Sequence, residues 1–261
     1  MKVAVLTPTK RYGGLDVVLA GLKLQTRKPD EWIVCDDLWN ERLDVFDAHV
    51  YDDADVDISA HHIPPPEKPE GYYSNLTGIY NHMVKHARRL GCDYAISLQD
   101  YIYIRPDGIE RFVKIAEEVP GALLTGLCSM AATPTAEDVL DPTGLWTIFQ
   151  EPYTPQAYEG VIEWMDVRLE DGIVEPHDVW PQWWEMNWAA FPLDLPDFDE
   201  EYGKHIGCEN HGYAMVAARD HGRRIILDPK NHSLSLPHRY YFPQEWAEQQ
   251  PHREANQERY G

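Results

Sequence analysis

The sequence predicts an α/β fold in which a mostly parallel sheet is flanked by helices and followed by an irregular C-terminal half. Two observations carry this. Through the first 130 residues, short apolar runs alternate with segments whose apolar residues repeat at helical spacing, the order that builds parallel sheets covered by helices. The short runs are apolar throughout, as strands covered on both faces must be. Beyond residue 130 Pro, Trp and Asp become frequent and neither period persists.

Each element follows from its own stretch. Residues 2–8 read as a buried strand. Gly13 and Gly14 follow, and Leu15, Val18, Leu19 and Leu22 then mark an amphipathic helix, broken by Pro29-Asp30. Residues 31–35 form a second strand ending in Asp36-Asp37. Residues 40–70 are less regular. They hold the acidic run Asp52-Asp53-Ala54-Asp55, a short strand over 58–63 and the extended loop Pro64-Pro65-Pro66. Ser74 or Asn75 caps the next helix, whose apolar face is Leu76, Ile79, Tyr80, Met83, Ala87 and Leu90; Gly91 ends it. Residues 93–98 are a strand, followed by Gln99-Asp100-Tyr101. Pro106-Asp107 opens a helix carrying Ile109, Phe112, Val113 and Ala116, Pro120 stops it, and 122–128 is a further strand. In the second half, 161–168 and 173–174 read as a hairpin through Asp171-Gly172, 209–221 as a helix and 223–227 as a strand. The tail from Tyr240 is polar and peripheral.

Composition narrows the function classes. A chain of 261 residues with 43% hydrophobic and 26% charged residues can bury a substantial core. No run approaches the length of a membrane span, and MKVAVLTPTK reads as a strand, not a signal peptide. The 44 acidic residues outnumber 23 basic ones, for a net charge of -21. That disfavours duplex nucleic acid and anionic membrane surfaces, which both need clustered Lys and Arg. A phosphorylated small molecule would need a metal cation to offset the repulsion. Cys35, Cys92, Cys128 and Cys208 are scattered with no CxxC, as expected of reduced thiols in a cytoplasmic protein. The sequence has no Walker loop, GxGxxG, HExxH or GxSxG.

In open α/β sheets, ligands bind beyond the carboxyl ends of the strands. Pro8, Thr9 and Lys10 follow the first strand, Asp36 and Asp37 the second, and Asp100 the strand over 93–98. Paired carboxylates can accept hydrogen bonds from a ribose or a base; equally, they can simply cap the next turn. A separate Asp can hold a hard divalent cation against substrate phosphates. Trp180, Trp183, Trp184 and Trp188 lie close together among polar neighbours that include Asn187. They form either a cleft lined for a sugar or ordinary core.

Taken in order, the residues resemble a family 2 glycosyltransferase of the GT-A fold. The opening V-A-V-L-T-P-T-K, the helix end L-Q-T and W-I-V-C-D-D carry the likeness first. The helix N-L-T-G-I-Y-N-H-M-V, the strand Y-A-I-S-L-Q-D-Y-I-Y-I and P-D-G-I-E-R-F continue it. D-F-D-E-E-Y-G, G-C-E-N and H-G-R-R-I resemble the family's acceptor-side block. The likeness runs over about 2–130 and again over about 186–228.

The resemblance implies one GT-A-type domain over 1–261, with 1–130 the nucleotide-sugar-binding half, 131–238 the acceptor half and 239–261 a peripheral tail. It implies an inverting transfer of a sugar from a nucleotide diphosphate sugar to an acceptor hydroxyl, with Mn²⁺ or Mg²⁺. The acceptor could be a glycan, a lipid, a protein or a modified nucleoside. Pro8, Thr9 and Asp37, with Asp36 adjacent, would line the base and ribose. Asn75 and Asn81 fall in the family's helix beside the nucleotide, and Lys10 or Arg105 would offset diphosphate charge. Asp100 sits at the metal-binding aspartate of the family's DXD motif, which here reads Gln99-Asp100-Tyr101; Gln99 then faces the nucleotide and His238 is a late metal ligand. Glu209 falls in the family's Glu-Asp motif, where a carboxylate deprotonates the acceptor. Asn210 replaces the second acid, so the base is Glu209 or a nearby Asp199 or Glu200. Trp183, Trp184, Asn187 and Trp188 would form the acceptor platform. Two other readings stay open. A nucleotidyltransferase would need a glycine-rich loop that Lys10-Arg11-Tyr12-Gly13-Gly14 matches only in part. A degenerate nucleotide- or sugar-binding protein is what Gln99 and Asn210 point to.

Overall fold

The computed structural model describes residues 1–9, 15–46, 57–100, 102–130, 175–205, 209–235 and 255. The strands are β1 (Val3–Thr9), β2 (Glu31–Asp36), β3 (Ser59–Ile63), β4 (Tyr94–Leu98), β5 (Ile102–Ile104), β6 (Leu123–Met130), β7 (His177–Asp178), β8 (Trp188–Pro192) and β9 (Ile225–Ser235). The helices are α1 (Leu15–Lys23), α2 (Trp39–Phe46), α3 (Leu76–Arg89), α4 (Gly108–Glu118) and α5 (Glu209–His221), with 3-10 turns at Pro181–Trp183 and Glu200–Lys204.

The nine strands among the described residues join one sheet in the order β3-β2-β1-β4-β8-β6-β9-β5, with β7 paired to β9. The segment β3-β2-β1-β4 is wholly parallel, as the sequence pattern predicts. Then β8 enters antiparallel to both β4 and β6, and β6 pairs parallel with β9 through a register shift between Gly126 and Cys128.

Successive side chains of a strand point to opposite faces, and this sorts β1 into two cores. Val3 and Val5 pack with Leu15, Val18 and Leu22 of α1, Phe46 of α2, and Ile109 and Phe112 of α4. Ala4 and Leu6 pack with Tyr80 and Met83 of α3, and Tyr213 and Ala214 of α5. Both faces are therefore covered, which is why the strands read as continuous apolar runs.

Four of the described helices and strands lie outside the expected pattern: β7, with two residues, is too short for any period, and the other three have reasons of their own. In α2, Arg42 occupies an inward position that a helical pattern would give to an apolar residue. β5 has only three residues, too short for any period. β8 reads WAAFP and is buried throughout, so it lacks polar alternation and carries two alanines of low strand preference. The expected hairpin over 161–174 and the polar tail from Tyr240 lie outside the described residues. No helix among the described residues is long and apolar enough to cross a membrane.

Candidate active site

The chain order places β1 between β2 and β4: the chain crosses from β1 to β2 over one face, through α1, and from β3 to β4 over the other, through α3, so the strand order reverses at β1, where a ligand crevice lies at the carboxyl ends of such sheets. The residues at that edge are tied to one another. The Thr9 hydroxyl donates to Asp100 Oδ2 at 3.0 Å, with both residues at most 5% exposed. The Asp37 backbone N–H donates to the Thr9 carbonyl at 2.9 Å. The Gln99 N–H reaches the Asn187 carbonyl at 3.4 Å, bringing the start of β8 to the same edge. Pro8, half-buried, pairs with Cys35 one step back. Thus Pro8, Thr9, Asp37, Gln99, Asp100 and Asn187, drawn from four strand ends, come together. Lys10 and His238 lie outside the described residues.

Other expected site residues turn out to be structural. Asp36 is fully buried and engaged on every side. It meets Arg42 Nη1 at 3.2 Å and His62 Nε2 at 3.0 Å, and it accepts the Leu38 N–H at 2.8 Å. That network fastens α2 and β3 to the end of β2 and leaves Asp37, which is exposed, as the carboxylate facing outward. Asn81 is 2% exposed; its amide donates to the Phe198 carbonyl and Glu200, and accepts from the Phe198 N–H. It clamps α3 to the 198–200 segment, which engages both ends of its amide. Asn75 donates to the Pro66 carbonyl at 2.7 Å, fastening the triple-proline loop. Arg105 pairs with Asp107, and its carbonyl is held by Gln25 just past the C-terminal end of α1, away from the end of β1. It is not in the crevice.

Trp184 and Trp188 are core, not platform: both are 0% exposed. Each indole N–H has a buried acceptor, Leu124 O at 3.0 Å for Trp184 and Asn231 Oδ1 at 2.9 Å for Trp188. Trp188 is wedged so tightly that a Cβ on Gly126 would come within 2.4 Å of its ring and one on Gly108 within 2.8 Å. Trp183 and its neighbour Trp180 are the exposed pair, at 60% and 76%.

Tyr80 is the residue that reasoning from sequence did not single out. Its buried hydroxyl shares a 2.7 Å hydrogen bond with Ser97 and another with Gln99, and Ser97 in turn donates to the Met186 carbonyl. Burial pushes the phenol well above its usual range; its hydrogen bonds with Ser97 and Gln99 oppose this, and the Glu209 and Asp100 carboxylates add to it. Tyr80 therefore stands within electrostatic reach of both acids and fixes the segment leading to Asp100. Its signal was the residue type: a tyrosine on a buried helix face needs a partner for its hydroxyl.

Glu209 opens α5 and is 8% exposed, where the helix dipole favours a carboxylate. The next residue explains a departure from the two-acid motif. Asn210 donates its amide to the Trp184 carbonyl at 2.8 Å, a bond an aspartate could not make. It pins α5 to the 184–187 segment that runs into the crevice edge. Glu200 and Asp199 are exposed; Asp199 accepts the Glu201 N–H. A separate cavity of about 140 Å³ lies between α5 and the 195–202 segment, lined by Leu195, Asp197, Tyr202, Tyr213 and Val216. None of the strand-end residues lines it.

The residues fit a divalent cation of one kind. No group of three or more His, Cys, Asp or Glu among the described residues could hold a metal ion alone. A magnesium-like cation, however, is commonly held by one or two carboxylates plus substrate phosphates. Asp100, buried with one oxygen held by Thr9, could supply the protein's share of such a site.

No protein-family model and no curated protein sequence matches the chain. Solved structures do. GalNAc-T7, solved with UDP, GalNAc and Mn²⁺, is 13% identical with a TM-score of 0.59 over 91% of this chain and 44% of its own. S. aureus TarS is 14% identical, with a TM-score of 0.50 over 91% of this chain and 37% of its own. Its 1–349 fragment is also 14% identical, with a TM-score of 0.51 over 90% and 60%. The chain thus spans 37% to 60% of these solved chains. These neighbours are GT-A glycosyltransferases, and the chain has the GT-A fold.

Proposed function

We propose that the chain is a glycosyltransferase that moves a sugar from a nucleotide diphosphate sugar to an acceptor hydroxyl. The observation that carries this reading is the Thr9–Asp100 pair at the β1/β4 switch point, in a GT-A fold whose neighbour GalNAc-T7 was solved with UDP, GalNAc and Mn²⁺. Residues 1–130 then form the donor half and 131–238 the acceptor half. Pro8 and Asp37 line the base and ribose. Asp100 would hold Mn²⁺ or Mg²⁺, which when bound would supply positive charge to offset the departing diphosphate. Glu209 accepts the proton of the acceptor hydroxyl as that oxygen attacks the anomeric carbon from the opposite face, giving inversion. Burial and position single it out over Asp199 and Glu200. Trp183, with Trp180 beside it, offers an indole face to the acceptor, and Asn187 offers polar contacts at the crevice edge.

The degenerate-binder reading rests on Gln99 and Asn210. Both amides have structural work, on Tyr80 and on the Trp184 carbonyl respectively, so neither replacement by itself argues for lost activity. Turnover decides. Release of UDP from UDP-sugars with Mn²⁺ is compared for wild type and Glu209→Gln. The variant is expected to bind UDP normally and to lose about 10²- to 10⁴-fold in turnover, the usual range for a general base. Unchanged kcat would remove Glu209 as the base.

A further inference from the structure

We propose that Thr9 is a positioning residue for Asp100 and does not itself contact the nucleotide. This rests on the glycosyltransferase reading above. Backbone pairing between β1 and β4 ends at Leu6 and Ser97. Thr9 and Asp100 each stand three residues further on, where the two strands have no ladder between them. On its other side β1 still pairs with β2 up to Thr9 and Asp36, and the Thr9 carbonyl takes the Asp37 N–H. The backbone of Thr9 is therefore fixed from the β2 side, while its hydroxyl reaches across to Asp100 Oδ2. The contact continues the sheet by a side-chain bond where backbone bonding has stopped.

The chemistry of a cation site explains why this matters. A site that combines one protein carboxylate with substrate phosphates relies on that carboxylate being aimed correctly, since few other protein ligands constrain the ion. A hydroxyl donating to one carboxylate oxygen sets the plane and direction of the other. Groups that orient a metal ligand from behind typically matter by 10- to 100-fold in metal affinity. With Thr9 5% exposed and its one hydroxyl hydrogen given to Asp100, donation to a base or ribose would have to break that bond. Thr9 thus couples the nucleotide side of the crevice, through Asp37, to the cation side, through Asp100.

The test is binding of UDP to the full chain, measured by calorimetry with and without Mn²⁺, for wild type, Thr9→Val and Thr9→Ser. Circular dichroism confirms folding, and Thr9→Ala replaces Thr9→Val if the latter does not fold. The expected result is a loss of about 10- to 100-fold in Mn²⁺-dependent affinity for the valine or alanine variant. Metal-independent UDP binding should be unchanged, and serine, which keeps the hydroxyl, should restore affinity to within about twofold. Equal weakening with and without Mn²⁺ would mean that Thr9 touches the nucleotide directly and would overturn the inference, as would wild-type affinity in the valine variant. Wild type showing no Mn²⁺-dependent UDP binding would instead overturn the glycosyltransferase reading on which the inference stands.

Discussion

The carboxyl ends of β2 and β4 both flank β1, and each carries a buried aspartate with a different job. At the end of β2, Asp36 is met by a guanidinium, an imidazole and a backbone amide. Arg42 and His62 are themselves 4% and 3% exposed by side chain, and His62 stacks on Phe46 with ring centres 4.2 Å apart. His62 Nδ1 is buried without a hydrogen-bond partner, while its Nε2 bonds Asp36 at 3.0 Å. At the end of β4, Asp100 is oriented by the hydroxyl of Thr9 at the mouth of the switch-point crevice. Two aspartates in equivalent sequence contexts, each closing an apolar strand, thus divide into a structural anchor and a candidate ligand-binding group. What separates them is which residues fold onto them, not their own surroundings in sequence.

The largest expected effect breaks the structural member of the comparison. Asp36→Ala strips the partner from a buried guanidinium, and breaking a buried ion pair from one side costs about 3–5 kcal/mol. Urea unfolding should show that loss. A loss under about 1 kcal/mol would mean that the cluster is not an anchor.

The tryptophans repeat the contrast. Trp188→Ala should also cost about 3–5 kcal/mol, as for a large aromatic removed from a core. Trp183→Ala should stay within about 0.5 kcal/mol, as for a surface position, while weakening use of the acceptor. Similar unfolding midpoints for the two variants would contradict the division into core and platform.

The smallest effect concerns the far end of β2, where Glu31 opens the strand. Burial would raise its carboxyl, but hydrogen bonds from Lys2, Ser59 and His61 outweigh that and hold it at about 2. A depressed carboxyl stabilises the fold above its usual value and loses that contribution as pH falls toward 2. Glu31→Gln should therefore be less stable by about 1 kcal/mol at neutral pH, with the gap closing between about pH 4.5 and 2. A gap that persists at pH 2 would place the effect in packing instead.

Much of the fold was legible because the parallel strands and their helices announce themselves by period: β1, α1, β2, α3, β4 and α4 all fall where apolar spacing puts them, and α5 falls on the range read as a helix. β8 was not legible, since WAAFP is only five residues long, is buried on both faces without alternation, and has two alanines at its centre. α2 was hidden because its inward position is an arginine. The strand-end residues were legible from the rule that ligands sit beyond carboxyl ends. The roles of Asp36, Asn81, Trp184 and Trp188 were not, because each depends on a partner distant in sequence: His62, Phe198, Leu124 and Asn231. Tyr80 shows the same limit from the other side, an apolar-face residue whose hydroxyl ties the site together.

The most direct test of the account is the thermal shift given by UDP with Mn²⁺ on wild type and Asp100→Asn. A ligand that binds only the folded state raises its apparent stability, by about 2.7 kcal/mol at a hundredfold excess over Kd. The account predicts a Mn²⁺-dependent shift in wild type that Asp100→Asn abolishes while its ligand-free midpoint stays close to wild type. An undiminished Mn²⁺-dependent shift in Asp100→Asn would contradict it.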